Sequence, residues 1–228
     1  MHTYEYPRPS LTADCVIFGF DGSQLKVLLI RRKLEPFKDM WALPGGFMQE
    51  GETLEECALR ELSEETHLVP EFLEQFHTFS SVGRDPRGRV VTVAYYALVP
   101  ISEVVGGTDA ADAQWFNIGE LPPLAFDHKE ILDTARECLR DRIHFEPIAF
   151  RLLGSKFTMT ELQRVYELIL DTKFDRRNFQ KKAVTSNCIC SLGEVRSGST
   201  PSRPAGLYFF DDEEYKLFRE SFRKKLEL

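Results

Sequence analysis

Hydrophobic positions along this chain follow two periodicities. Runs rich in β-branched and aromatic residues occupy Thr12 to Phe20, Leu25 to Arg31, Trp41 to Leu43, Leu73 to Val82, Val90 to Val99 and Gln114 to Asn117, and each predicts a strand. Asp21-Gly22-Ser23 between the first two is a turn signal, so they form a hairpin. Among the runs lies a helical stripe, Leu54, Cys57, Ala58 and Leu62. Thr53 precedes it, and Glu56 three residues on completes a capping box, predicting a helix to about Thr66. A second helix is expected from Asp127, with Glu130 closing another cap pattern, through Ile131, Ala135, Cys138 and Leu139 to about Ile143.

The pattern changes after His144-Phe145-Glu146-Pro147. Thr158 and Glu161 form a third capping box, opening a helix with Leu162, Val165, Tyr166 and Ile169 on one face, and Asp175 opens another over Arg176 to Val184. Strand patterns return only at Cys188 to Leu192 and Leu207 to Phe210, around a loop rich in Gly, Ser, Pro and Arg. Helix, short turn, basic helix and a two-stranded flap is the order of a winged helix-turn-helix. The sequence therefore predicts an α+β protein of two modules, residues 1–145 and 146–228, without internal repeats.

Composition narrows the classes. With 228 residues, 43% hydrophobic and 29% charged, the chain can bury a core, and wholesale disorder or a fibrous repeat is excluded. No apolar run reaches the roughly 18 residues of a membrane span. The beginning of the chain lacks a basic flank leading into an apolar stretch, so a cytoplasmic, membrane-free protein is expected. Five scattered cysteines fit reduced thiols better than a disulfide framework. Cys188 and Cys190 share a face of a strand, and packing is the simpler role for them than zinc binding. The net charge of −7 is uneven: residues 146–228 hold 15 Lys and Arg against 12 Asp and Glu, leaving 14 against 24 in residues 1–145. An acidic front and a basic back suggest different partners.

The chemistry concentrates in the first helix. At about 100° per residue, Glu61, Glu64 and Glu65 fall within an arc of roughly 100° beside the apolar stripe. A solvated acidic face would account for three carboxylates, but not for Gly45-Gly46 ahead of the helix, where bare backbone can turn sharply and present a carbonyl. Mg²⁺ favours such hard oxygen ligands together with substrate phosphates.

Gly46, Glu52, Arg60, Glu61, Leu62, Glu64, Glu65 and Leu68 resemble the signature of the Nudix hydrolase family at its required spacing, with His67 where that family has its last glycine. The resemblance implies an α/β/α sandwich with a mixed sheet. It also implies Mg²⁺ or Mn²⁺ held by Glu61, Glu64, Glu65 and the Gly46 carbonyl, with Glu61 orienting or deprotonating the attacking water and Glu52 pairing with Arg60 to brace the loop. Family members cleave a nucleoside diphosphate linked to another group. Glycine at the last position suits a left-handed helix end, so His67 should cost roughly a kcal/mol without removing a metal ligand.

Ser80 to Arg89 contains Asp85-Pro86-Arg87-Gly88, a turn signal that by composition is equally a charged hairpin tip or a ligand loop. The phrase resembles the ADP-ribose-handling branch of the Nudix family. By that resemblance Arg84 and Arg89 are ligand candidates, with Phe79 and Tyr95 as base or ribose contacts. Leu124 to His128 resembles the same branch, although a histidine at a helix start is more often structural.

In the basic helix, Arg176, Arg177, Gln180 and Lys181 share an arc of roughly 140°, with Phe179 and Ala183 turned away. These groups reach phosphates and base edges in a major groove, and Arg203 in the flap loop could reach phosphate or the minor groove. A basic helix can equally be a solvated face. However, Phe157 to Glu167, Asp175 to Phe179 and Arg203 to Tyr208 resemble the Nudix-related transcriptional regulators, in which a Nudix domain senses a ligand and a winged helix binds operator DNA, usually as a homodimer. The leading expectation is a regulator responsive to ADP-ribose or a related nucleotide or sugar metabolite. The rival is a Mg²⁺-dependent ADP-ribose pyrophosphatase whose second module serves dimerisation.

Overall fold

Two long strands, β1 (Ser10–Phe20) and β6 (Val90–Pro100), run parallel in register from Ser10 opposite Val90 to Phe20 opposite Pro100. They are the spine of the first of two units, Met1–Glu146 and Pro147–Leu228, in a computed structural model that describes residues 5–101, 110–185, 188–196 and 204–217. The other pairings are antiparallel. β2 (Leu25–Arg32) returns along β1 after the Asp21 turn and carries β3 (Trp41–Ala42) and β7 (Ala110–Asn117); β4 (Gly45–Phe47) pairs with β1, and β5 (Glu74–Phe79) edges β6.

Helices cover both faces of this mixed sheet. Cys15 and Ile17 of β1, Leu28 of β2, and Tyr95 and Ala97 of β6 join the core beneath Cys57, Ala58 and Leu62 of α1 (Leu54–Thr66). The intervening β6 side chains face the other way, where Arg142 of α2 (His128–Arg142) lies over the Tyr96 ring. Burial on both faces explains why β1 is uninterruptedly buried from Thr12 to Phe20, as in sheets sandwiched between helices. This unit has the expected α/β/α architecture.

The Thr53 capping box closes as expected: Glu56 N–H donates to Thr53 Oγ1, and Thr53 N–H to Glu56 Oε2. The Asp127 pattern does not close. Asp127 is the N-cap of α2 yet makes no side-chain cap, because its carboxylate accepts two hydrogen bonds of 2.7 Å from Arg84. A charge-assisted fork outcompetes a single neutral amide.

In the second unit a short 3₁₀ helix (Ile148–Leu152) precedes β8 (Phe157–Thr158), α3 (Met159–Leu170), α4 (Arg176–Thr185), β9 (Ile189–Arg196) and β10 (Ala205–Phe210), with β10 central in its sheet. Leu162, Val165 and Ile169 of α3 are buried, as the stripe predicts. Glu167 and Gln163 hold the turn into α4: Phe174 N–H donates to Glu167 Oε1 at 3.0 Å, and Gln163 Nε2 donates to the Phe174 carbonyl at 2.9 Å. Cys188 is buried and Cys190 half-buried. No described helix is long and apolar enough to cross a membrane.

Candidate functional site

α1 presents its carboxylates to the loop that β4 begins. Arg60 lies at the centre, donating to both Glu52 oxygens at 3.0 and 2.8 Å, to the Phe47 carbonyl at 3.2 Å, and to Glu61 and Glu64 at 2.8 and 3.3 Å. The Glu52–Arg60 brace is thus present, and Arg60 and the Gln49 amide hold Glu52 down at about 2. Gly46 is obligatory beside it: a Cβ there would stand 2.3 Å from Glu61 Oε1.

The expected convergence of three acids is only partial. Glu61 and Glu64 turn to Arg60, while the buried Glu65 accepts a 2.9 Å hydrogen bond from Gly45 N–H. Among the described residues no three acidic, His or Cys side chains share one metal-sized position. The reason is electrostatic. Carboxylates crowded on one helix face need a counter-charge, and the Arg60 guanidinium supplies it to Glu61 and Glu64. Glu65 is left without one: burial above all, then the charges of Glu61 and Asp14, push it up to about 8 against the opposing Gly45 amide. The donor set suits a hard divalent cation, which would stand in for Arg60 as counter-charge to these carboxylates.

Beside Gly45 and Gly46 opens a recess of about 440 Å³ whose walls include Thr12, Asp14, Arg32, Arg84, Arg87 and Phe126. Arg84 reaches it, but 4% exposed and forked onto Asp127, with Asp14 at 3.5 Å, it is also a structural cation. Its removal would leave buried carboxylates unpaired. Arg89 stands outside, donating to the Ser80 and Ser81 carbonyls. Phe79 packs edge-on to His77, and Tyr95 faces the core below α1; neither lines the recess. His128 is buried, accepts a 2.8 Å hydrogen bond from Leu43 N–H on Nδ1, and turns Nε2 towards Asp14 at 3.7 Å. Burial first, then the nearby arginines, lower its pKa against the pull of Asp14 and Asp127, so it is neutral. The sequence reading passed over Arg32, Arg87 and Phe126 as ligand candidates. They stand on a strand, a turn and a helix approach far apart in sequence, and the visible signal was the phrase around Phe126.

The second unit brings together the other candidates. Arg176, Arg177, Gln180 and Lys181 are exposed on α4, and among the described residues the three cations make no ion pair. Half-buried Phe179 turns away and stacks edge-on against Tyr166 of α3, with ring centroids 5.6 Å apart. The polar arc is therefore open. Arg203 lies outside the described residues. At the wing's base, Arg196 donates to Glu161, itself part of the Thr158 capping box, at 2.7 Å.

Comparisons with known proteins agree with this division. Residues 8–135 match the NUDIX domain family and residues 149–210 the NrtR DNA-binding winged helix domain. The chain is 34% identical over 216 residues to the ADPR responsive transcriptional repressor NtrR of Acinetobacter baylyi, covering 92% of this chain and 86% of that protein. It is 42% identical over 127 residues to an ADP-ribose pyrophosphatase of Methanocaldococcus jannaschii, covering 56% of this chain and 73% of the other. Shewanella oneidensis NrtR in complex with a 27mer DNA superposes with a TM-score of 0.76 at 34% identity, over 90% of this chain and 94% of that one. The Nudix domain of the same protein, solved with ADP ribose, superposes with a TM-score of 0.56 at 40% identity, over 59% of this chain and 90% of that one. A carboxylate helix beside a polar recess in one unit and an open basic helix in the other thus occur together in one chain, which belongs to the Nudix family and, within it, to the NrtR-type regulators with a winged-helix DNA-binding domain.

Proposed function

We propose that this protein is a transcriptional regulator that binds operator DNA through α4 and responds to ADP-ribose in the recess beside α1. One observation carries the DNA half: four polar side chains on one arc of a short helix, three of them cations without ion pairs among the described residues, on a helix anchored from behind through Phe179. Such a surface has a desolvation cost that only an extended anion offsets, and a duplex phosphate backbone is that anion. The Acinetobacter and Shewanella relatives support the choice of effector. A homodimer reading two half-sites fits the same function.

A second reading has its own support. Glu52, Arg60, Glu61, Glu64 and Glu65 are all present, and the similarity to a pyrophosphatase spans this unit. A divalent cation on Glu61, Glu64, Glu65 and the Gly46 carbonyl would neutralise a diphosphate and activate water for attack at phosphorus. Within the chain, Glu61 would orient that water and accept its proton, while Arg60 and Glu52 hold the loop that aims the Gly46 carbonyl. Mg²⁺ should raise the melting temperature, and Glu64→Gln with Glu65→Gln should abolish the gain; an unchanged gain would place the ion elsewhere. Release of AMP from ADP-ribose, lost by roughly a hundredfold in Glu61→Gln, would show catalysis beside regulation.

The regulatory reading is tested by fluorescence anisotropy on DNA from upstream of the protein's own gene. Tighter binding than to random duplex, shifted by ADP-ribose, is expected. Equal affinity for both duplexes at physiological salt would refute it.

A further inference from the structure

Two guanidiniums crowd a single ring at the mouth of the recess. Arg32 Cζ lies 4.8 Å from the centroid of Phe126, and Arg87 Cζ lies 5.5 Å from the same centroid and 4.7 Å from that of Phe47. Cation–π attraction stabilises each guanidinium on its ring, but the two cations repel one another. Burial, and next the charge of Arg87, depress the pKa of Arg32. Arg32 is fixed by backbone carbonyls, donating to Pro36 at 2.9 Å and Leu34 at 3.4 Å, and makes no ion pair among the described residues. Arg87 is parked on Asp85, donating through Nε and Nη2 at distances of 2.6 to 3.2 Å. Phe126 itself is held at φ +52°, a backbone conformation costly for an aromatic residue.

The wall below carries an unmet polar group. Thr12 is 6% exposed, and its Oγ1 finds no hydrogen-bond partner among the described residues. A buried hydroxyl without a partner costs on the order of 1–3 kcal/mol, so the recess is incomplete by one acceptor. An anion with several oxygens would supply that acceptor and relieve the repulsion between the cations.

We propose that Arg32, Arg87 and Thr12 form a clamp for the diphosphate of the ligand, with Arg87 exchanging the Asp85 carboxylate for a phosphate oxygen. The proposal rests on the reading that ADP-ribose enters this recess, and it assigns the recognition of its charge to residues apart from the carboxylate helix. Asp85 acts as an internal competitor: it keeps Arg87 ordered when the recess is empty and lowers affinity for any phosphate by the free energy of its own pair. Arg32 supplies a fixed charge and Arg87 a moving one.

The test is calorimetric titration of the full chain in EDTA with ADP-ribose, inorganic pyrophosphate and adenosine. Arg87→Ala should weaken ADP-ribose and pyrophosphate by roughly tenfold or more, the scale of one lost charge-assisted hydrogen bond, and leave adenosine unaffected. Thr12→Val should weaken the same two ligands. Asp85→Asn should tighten them, since its Oδ1 still accepts from the Arg87 amide, a 2.9 Å bond that orders the turn, while the competing charge is gone. Arg136→Ala on α2 controls for net charge, and melting temperatures control for folding. Unchanged ADP-ribose affinity in folded Arg87→Ala and Asp85→Asn overturns the clamp and leaves the effector reading intact. Equal weakening by Arg136→Ala, or adenosine weakened as much as ADP-ribose, also overturns it. Wild type that ignores ADP-ribose but holds pyrophosphate through Arg87 supports the clamp and refutes ADP-ribose as effector, and wild type that binds neither overturns both.

Discussion

His67 ends α1 at φ +58°, the left-handed conformation that its place in the signature requires of glycine. The helix is still capped, because the His67 N–H donates to the Ser63 carbonyl at 2.9 Å and the ring Nδ1 lies 3.2 Å from the same oxygen. The strain is therefore local, and His67→Gly should raise stability by up to about 1 kcal/mol in denaturant titrations without altering the metal-dependent melting shift. His128 carries a different signature. Its folded pKa lies below the ordinary 6.5, so the unfolded chain takes up a proton that the folded chain refuses, and stability falls as pH drops below about 6.5. Glu65 opposes this: raised to about 8, it favours the folded state in acid, a contribution lost as pH rises from about 4.5 through 8. The wild-type profile mixes the two, so the difference between wild type and His128→Asn is the measurement. Asparagine can still accept from Leu43 N–H and does not titrate. The variant should lose less stability than wild type between pH 7 and pH 5; parallel curves would show that His128 is protonated in the fold.

Elements whose signals are local were legible in the sequence, and those that depend on distant partners were not. The Thr53 and Thr158 capping boxes need only residues three apart, and both close. Asp127 presents the same pattern, but its carboxylate is claimed by Arg84 from 43 residues away. The carboxylate helix was readable because its chemistry is spaced within one element. Arg32, Arg87 and Phe126 meet only because a strand, a turn and a helix approach are folded against one another, and no spacing rule connects them. The junction of α3 and α4 lies between these cases: its turn was readable, its clamp was not. Glu167→Ala should remove the acceptor of the Phe174 amide and the partner of Gln163 and Lys173, costing about 1–3 kcal/mol in the second unit. Operator affinity should fall with it because α4 is no longer aimed, while ADP-ribose titrations stay unchanged. Loss of both together would show that Glu167 serves the whole molecule instead of this turn.

At the scale of the whole molecule, the uneven charge decides how DNA is met. The acidic first unit repels phosphate, so contact falls to α4, and Arg176→Ala with Arg177→Ala should flatten the slope of log affinity against log salt by up to about 2. A salt series with an unchanged slope would move the interface off this helix. Ligand and DNA must then influence each other equally, with a coupling of about 1 to 3 kcal/mol typical of such systems, so ADP-ribose titrations with and without operator should shift by the same factor as operator titrations with and without ADP-ribose.

α4 contains no buried residue and is fastened by half-buried Phe179 and Ala183 and by the turn before it. Its outward positions contribute almost nothing to folding, and substitutions at such positions change stability by no more than about 0.5 kcal/mol. The reading surface can therefore drift while the scaffold stays unchanged. One fold can serve different operators through exchanges at Arg176, Arg177, Gln180 and Lys181 alone, and a library randomised at those four positions would return folded proteins nearly throughout, sorted only by the DNA they choose.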